Sequence, residues 1–155
     1  MQLQVSDVKQ LNHRELAAWR GFLRVHASLV RALDRELEEA HGLPLSHYEV
    51  LLHLANAPDD RLRMSDLASS VLLSQSGVTR LVDRLERAGH VVRKPCPDDR
   101  RVLYAQLTEA GRTRLSEARP THLAGVRARF LAHFDESELD DLAAAWERVL
   151  PGVAE

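Results

Sequence analysis

The sequence has one cysteine, Cys96, among its 155 residues. A single thiol cannot form a disulfide within the chain, so the fold does not depend on an oxidising compartment. No apolar run approaches the roughly 18 to 20 residues of a membrane-spanning helix, and the first residues lack the basic-then-apolar order of a signal peptide. We therefore expect a cytoplasmic protein without membrane contact.

The motifs that usually mark an enzyme are also missing. The sequence has no glycine-rich phosphate loop, no nucleophile elbow and no HExxH pair. Its eight histidines are scattered, and His47 and His53 stand six residues apart, which places them on different sides of one helix. We predict that the protein is not an enzyme and needs no cofactor or metal.

The net charge of -2 hides an uneven distribution of charge along the chain. From Arg61 to Arg101 there are nine basic and five acidic residues, a balance of +4. The remainder has 12 basic and 18 acidic residues, a balance of -6. A basic centre between acidic ends suits a DNA-contacting module held on an acidic scaffold.

A first long helix is predicted over residues 12–40. Asn12 and Glu15 form a capping box at its start, and Gly42 follows its end. Its apolar side has the spacing of three and four that is typical of a helix packed on another helix: Leu16, Trp19, Leu23, His26, Val30, Leu33 and Leu37. One helix cannot bury this stripe alone, so it must meet other helices or another subunit.

Two further helices are predicted within 109–150. Thr108 can cap the first, which Pro120 should kink or divide into two segments. Asp135 and Glu138 form a capping box for the second. Because apolar helices lie at both ends of the chain, we predict that the ends pack together as a dimerisation layer.

Residues 45–107 have the order of a winged helix-turn-helix. Ser46 and Glu49 form a capping box for one helix, and Ser65 can cap another of about two turns. Residues 61–63 between them suit a short edge strand. Another capped helix follows after a minimal turn, as in a helix-turn-helix.

This last helix, predicted over 74–88, has the pattern of a recognition helix, with Ser74 as its cap and Gly89 at its end. Its inward positions are apolar: Val78, Leu81, Val82 and Leu85. Its outward positions are hydrogen-bonding or charged: Gln75, Ser76, Thr79, Arg80, Asp83 and Arg84. Such side chains can reach base edges in the major groove, so we predict that this helix reads DNA.

A hairpin is predicted over 90–107, with a turn rich in proline, aspartate and arginine between its strands. In a winged helix, a hairpin at this place lies along the DNA backbone or enters the minor groove. We therefore include its basic residues among the predicted DNA contacts: Arg93, Lys94, Arg100 and Arg101. A two-fold dimer would place two such units on a pseudo-palindromic site.

These features together resemble the MarR family of bacterial transcriptional regulators over nearly the whole chain. The strongest match is the run from Met64, MSDLASSVLLSQSGVTRLVDRLERAGHVVRKPCPDDRRVLYAQLTEAG. The resemblance implies a mainly α fold with a small β-hairpin wing, and a homodimer with interlocking terminal helices. It implies that Arg101 enters the minor groove and that Asp99 orients it. It also implies recognition-helix contacts from Ser74, Gln75, Ser76, Thr79, Arg80 and Arg84.

The resemblance further implies a repressor that a small aromatic or phenolic ligand releases from DNA. In the family, such ligands usually lie between the dimerisation helices and the winged module. The corresponding residues of this chain are Trp19, Phe22, His26, His47, Tyr48, Leu51 and Leu52. A core role is the alternative for Trp19 and Phe22, and a buried, hydrogen-bonded imidazole is the alternative for His26.

Two other functions stay open on the sequence alone. Cys96 follows Arg93 and Lys94, whose positive charge would suit the reactive thiol of an oxidant-sensing regulator. However, Cys96 stands where relatives often have aspartate, and the sensing cysteines of the family usually lie in the first helix. The other function is a winged helix used for protein contact without DNA, since a fold does not fix a function.

Overall fold

A computed structural model describes residues 10–71 and 75–153 of the protein. Within these ranges there are six α-helices: α1 (His13–His41), α2 (Leu45–Asn56), α3 (Met64–Ser70), α4 (Gln75–Arg87), α5 (Glu109–Arg129) and α6 (Glu136–Val149). The strands there are β1 (Arg61–Arg63), β2 (Val91–Pro95) and β3 (Leu103–Leu107). None of the helices in the described ranges is long and apolar enough to span a membrane.

The predicted mainly α fold with a small β-hairpin wing is confirmed. The three strands form one antiparallel sheet in the order β1-β3-β2, so β1 is an edge strand as predicted. Val91 pairs with Leu107 at the base of the wing and Pro95 with Leu103 towards its tip. Arg63 of β1 pairs with Tyr104 on the other side of β3, which fixes the position of β1 beside the wing.

Side-chain capping explains where three of the helices begin. The predicted boxes of Asn12 with Glu15 and of Asp135 with Glu138 both form, and Thr108 caps α5. The predicted box at Ser46 is wrong, because α2 begins at Leu45 after a proline and shows no side-chain cap of its own. Its first amide instead donates a hydrogen bond of 2.8 Å to the Asp34 side chain of α1. A residue distant in sequence thus satisfies this helix end.

One other helix prediction is wrong, and one of the two alternatives predicted for Pro120 is wrong as well. Ser65 does not cap α3, since this helix already begins at Met64 and Ser65 lies within its first turn. Of the two alternatives predicted for Pro120, the division into two segments is wrong, because α5 continues through Pro120 to Arg129. Both Pro120 and Ser116, whose carbonyl loses its helical partner there, are exposed. Water can therefore replace the missing hydrogen bond, which lowers the cost of the proline.

The hydrophobic core lies mainly in the winged unit. Most of its fully buried members come from α2, α3, α4, the sheet and α5, among them Tyr48, Leu51, Leu54, Leu67, Val78, Val82, Leu85 and Val91, and α1 adds Leu37. Gly111 allows α5 to approach the base of the wing, because a Cβ there would collide with the His90 carbonyl. The helix-turn-helix, the wing and α5 therefore share one rigid core.

Helices α1 and α6 leave a large apolar surface exposed in the single chain. Trp19, Phe22, Trp146, Val149 and Leu150 line one shallow groove, and we call these five residues the terminal apolar face. The Phe22 and Trp146 rings lie 5.5 Å apart, which joins the two helices. Val149 is 77% exposed and Leu150 is 61% exposed. A patch of this kind usually marks a surface that another molecule covers.

Candidate nucleic-acid interface

Helix α4 divides into a buried face and an exposed face as predicted. The predicted inward residues Val78, Leu81, Val82 and Leu85 are at most 5% exposed. Ser76, Thr79, Arg80 and Arg84 are exposed on the other face. Ser74 and the side chain of Gln75 lie outside the described residues. Because its apolar face is anchored in the core, α4 presents its polar face to solvent in a fixed orientation.

Arg80 and Arg84 lie one turn apart on the exposed face of α4. In the part of the chain that the structure describes, neither guanidinium forms an ion pair with a carboxylate. An arginine presents a planar set of donors that matches the acceptors of a guanine edge or a phosphate. These two residues can therefore supply direct contacts to nucleic acid without first breaking an ion pair.

The tip of the wing holds Arg101 beside Asp99. The Asp99 carboxylate accepts hydrogen bonds from the backbone N–H of Arg101 at 3.0 Å, from Nε at 3.1 Å and from Nη2 at 3.2 Å. These bonds hold the pKa of Asp99 below its usual range, and the side-chain bonds from Arg101 have the largest effect. The Arg101 side chain is still 90% exposed. The arrangement presents an oriented guanidinium to solvent.

The other predicted wing residues differ in their surroundings. Lys94 and Arg100 are exposed, and neither forms an ion pair within the described ranges. Cys96 is half-buried where the turn closes, and its N–H donates to the Val102 carbonyl at 2.8 Å. In the same described ranges, no group of three or more histidine, cysteine or acidic residues is arranged to hold a metal.

Arg93, a predicted DNA contact, lies between the wing and α4. Its guanidinium faces α4 and contacts Asp83 and Glu86, each at 2.7 Å, and the Thr79 carbonyl at 3.1 Å. Its backbone N–H also donates to the Glu86 carboxylate at 3.0 Å. This bond is the largest cause of the lowered pKa of Glu86, and the side-chain bond from Arg93 is the second. The side chain of Arg93 is only 19% exposed. Residue type alone does not reveal which acidic groups the fold brings to an arginine, so the sequence analysis did not predict these ion pairs.

A further basic residue, Arg63 of β1, belongs to the same surface although no contact was assigned to it. Its Nε donates to the Tyr104 hydroxyl at 3.3 Å. One groove between β1, α4 and the wing is lined by Arg63, Ser65, Thr79, Arg93 and Arg101. The available signal was the predicted edge strand, which could have been paired with the second strand of the wing, β3. The groove thus adds a basic group from β1 to those of the helix and wing.

The residues predicted to bind an effector fall into two groups. Trp19, Phe22 and His26 stack in series along α1, with ring centroids 6.1 and 6.2 Å apart. On α2, Tyr48 and Leu51 are buried in the core, whereas His47 and Leu52 are half-buried. The Tyr48 ring lies 4.5 Å from that of His122 on α5, so its face is already occupied. A shared effector cleft stays a prediction.

Known proteins resemble this chain in both sequence and fold. The sequence profile of the MarR family matches residues 41–102, which cover the helix-turn-helix and most of the wing. The HTH-type transcriptional regulator YkoM of Bacillus subtilis (strain 168) is 32% identical over 129 residues, which cover 83% of this chain and 81% of YkoM. The chain belongs to the MarR family. Members of this family are transcription regulators and not enzymes.

Two solved structures of MarR family regulators from Streptomyces coelicolor extend the comparison to the whole fold. AbsC is 34% identical with a TM-score of 0.85, and the match covers 92% of this chain and 95% of AbsC. Sco3205, crystallised in complex with DNA, is 32% identical with a TM-score of 0.88, and the match covers 94% of this chain and 92% of Sco3205. The similarity therefore includes the terminal helices as well as the winged unit.

Proposed function

We propose that this MarR family protein is a transcriptional regulator that binds double-stranded DNA as a homodimer. The observation that carries the proposal is the surface formed by α4, β1 and the wing. Arg63, Thr79 and Arg101 line one groove of this surface, and Arg80 and Arg84 are exposed beside it on α4. The DNA complex of the related Sco3205 supports this proposal.

The geometry suggests a division of roles on DNA. Helix α4 would enter the major groove, where Ser76, Thr79, Arg80 and Arg84 would meet base edges and phosphates. Arg101, oriented by Asp99, would enter the adjacent minor groove, whose negative potential attracts a guanidinium. Lys94 and Arg100 would contact phosphates beside it.

The terminal apolar face supports the homodimer. Its tryptophans, Phe22, Val149 and Leu150 are too large and too exposed to be left in water without cost, and their burial between two copies would stabilise a dimer. A two-fold dimer would present two α4 helices about one DNA turn, or roughly 34 to 36 Å, apart. The expected binding site is therefore pseudo-palindromic.

Repression and release by a small effector form the last part of the proposal. A second apolar groove lies between α1, α6 and the segment that joins α5 to α6, lined by Phe22, His26, Phe130, Phe134 and Trp146. Aromatic walls with one imidazole suit a small aromatic or phenolic acid. A ligand there would touch both terminal helices and could thereby change the separation of the two DNA-binding units.

The experiment is to select bound duplexes from genomic fragments and to titrate the best of them against salt by fluorescence anisotropy. Binding through several arginines predicts that the logarithm of the affinity falls linearly with that of the salt concentration. Arg100→Gln should lower this slope by about one, whereas Arg127→Gln, an exposed arginine on α5, should leave it unchanged. A flat salt response with genomic and random duplexes alike would exclude the proposal and favour a protein partner.

A further inference from the structure

Arg93 joins the wing to the recognition helix through three hydrogen bonds and an ion pair with Asp83. Two end on the Glu86 carboxylate, from the Arg93 backbone N–H at 3.0 Å and from Nη1 at 2.7 Å. Nη2 reaches both the Asp83 carboxylate at 2.7 Å and the Thr79 carbonyl at 3.1 Å. We propose that Arg93 is a positioning residue for DNA binding, which sets the wing relative to α4, and that it does not contact phosphate. This inference rests on the proposed function.

The three partners of Arg93 follow one face of the recognition helix. Thr79, Asp83 and Glu86 are four and three residues apart, so they lie in a row of about 10 Å along the helix axis. Arg93 stands in the middle of β2 and pairs there with Ala105 of β3. One planar guanidinium thus fixes the wing strand against two turns of the helix. A lysine, with a point charge, cannot reproduce this bridge.

The surroundings of Arg93 also disfavour a phosphate. Its side chain is 19% exposed, compared with 90% for Arg101 at the wing tip. The two carboxylates around one guanidinium give the group a net charge of about -1, which repels a phosphate oxygen. An exchange of these short ion pairs for a phosphate would leave both carboxylates unpaired close to DNA.

The bridge matters because the proposed DNA contacts lie on both of the elements that it joins. Arg80 and Arg84 belong to α4, whereas Arg100 and Arg101 belong to the wing. All four can meet one duplex at the same time when the wing has the right angle to the helix. If this angle is already fixed in the free protein, less conformational entropy is lost on binding. Loss of the bridge should therefore weaken binding without removing a phosphate contact.

The test compares Arg93→Gln and Glu86→Gln with Arg100→Gln on one selected duplex. We expect the first two variants to bind about 3- to 30-fold more weakly with an unchanged salt slope. We expect Arg100→Gln to lower the slope by about one. Glu86→Gln is decisive, because removing a negative charge near DNA should by itself strengthen binding. The double variant of Arg93 and Glu86 should lose little more than either single one.

The inference is overturned if Arg93→Gln lowers the salt slope as Arg100→Gln does, or if Glu86→Gln binds more tightly than wild type. Amide hydrogen exchange of the free protein gives an independent readout. Arg93→Gln should speed exchange in β2 and in the second half of α4, and Arg100→Gln should not. Unchanged exchange would overturn the bridge itself. If wild-type protein binds no duplex but Arg93→Gln still speeds exchange as expected, the bridge stands. The proposed DNA binding is then refuted, together with the role in DNA binding that rests on it.

Discussion

Asp99 holds Arg101 at the tip of the wing through three hydrogen bonds, one from the backbone and two from the guanidinium. The pair is notable because the arginine is 90% exposed and would otherwise sample many rotamers. An acidic residue is unfavourable beside DNA on charge alone. Its presence is therefore best explained by the orientation that it imposes on Arg101.

Asp99→Asn separates these two effects. The substitution removes a negative charge, which should strengthen DNA binding, but it also replaces a charged acceptor of three hydrogen bonds by a single neutral oxygen. We expect orientation to dominate, with a dissociation constant about 3- to 10-fold higher at constant salt. Asp98→Asn is the matched control, because this exposed neighbour has no such bonds among the described residues, and it should bind equally well or more tightly. Tighter binding by both variants would contradict the orienting role.

Arg80 offers a test of base recognition by α4. If its guanidinium meets a base edge, Arg80→Ala should cost about 1 to 3 kcal/mol of binding free energy on the selected duplex. The loss should be smaller on a duplex with one altered base pair, which means that specificity relaxes at that position. Competition binding with a set of single-substitution duplexes measures both quantities.

Arg87→Ala is the control for that measurement. Arg87 is also an exposed arginine of α4, but its Nε donates back to the Asp83 carbonyl at 3.2 Å near the end of the helix. We expect its removal to weaken all duplexes equally or not at all. If Arg80→Ala weakens all duplexes equally, Arg80 contacts the DNA backbone and not a base; if it weakens none, Arg80 does not contact the DNA.

The sequence predicted those parts of the interface that depend on local pattern. The spacing of Val78, Leu81, Val82 and Leu85 determined which face of α4 is buried, because the core selects apolar positions at helical intervals. The ion pairs of Arg93 could not be predicted in this way. Its partners are on another element, and only the turn at Gly89, with φ of 77°, brings β2 back along the helix. The first amide of α2 is likewise bonded by Asp34 from a different helix.

Val149→Glu tests the terminal apolar face as a dimer interface. Val149 is 77% exposed in the single chain, so a glutamate there leaves the fold of one subunit intact. Between two subunits the same carboxylate would be buried without a partner, which is strongly unfavourable. Sedimentation velocity should therefore show a dimer for wild type and a monomer for the variant. Leu103→Glu on the wing, where the leucine is 42% exposed, should remain a dimer. A dimeric Val149→Glu protein would place the interface elsewhere.

His122 connects the stability of the fold to pH. Its ring packs against Tyr48 with centroids 4.5 Å apart, and its buried Nδ1 has no hydrogen-bond partner among the described residues. Burial lowers the pKa of His122 below its ordinary value of 6.5. The pKa values of His47 and His90 are also lowered, mainly by burial and to a smaller extent by nearby positive charge. As pH falls through 6.5, the unfolded chain therefore binds protons that the folded chain does not, and the free energy of unfolding decreases.

His122→Phe should reduce this dependence on pH. Phenylalanine keeps an aromatic ring against Tyr48, cannot bind a proton and removes the unpaired Nδ1, so we expect neutral-pH stability to be equal or higher. Urea unfolding at one protein concentration, at about pH 7.5 and about pH 5.5, measures the change. His133→Gln, which removes an exposed histidine, should retain the wild-type difference between the two pH values. If His122→Phe also retains this difference, the acid sensitivity of the fold arises at His47 and His90 and not at His122.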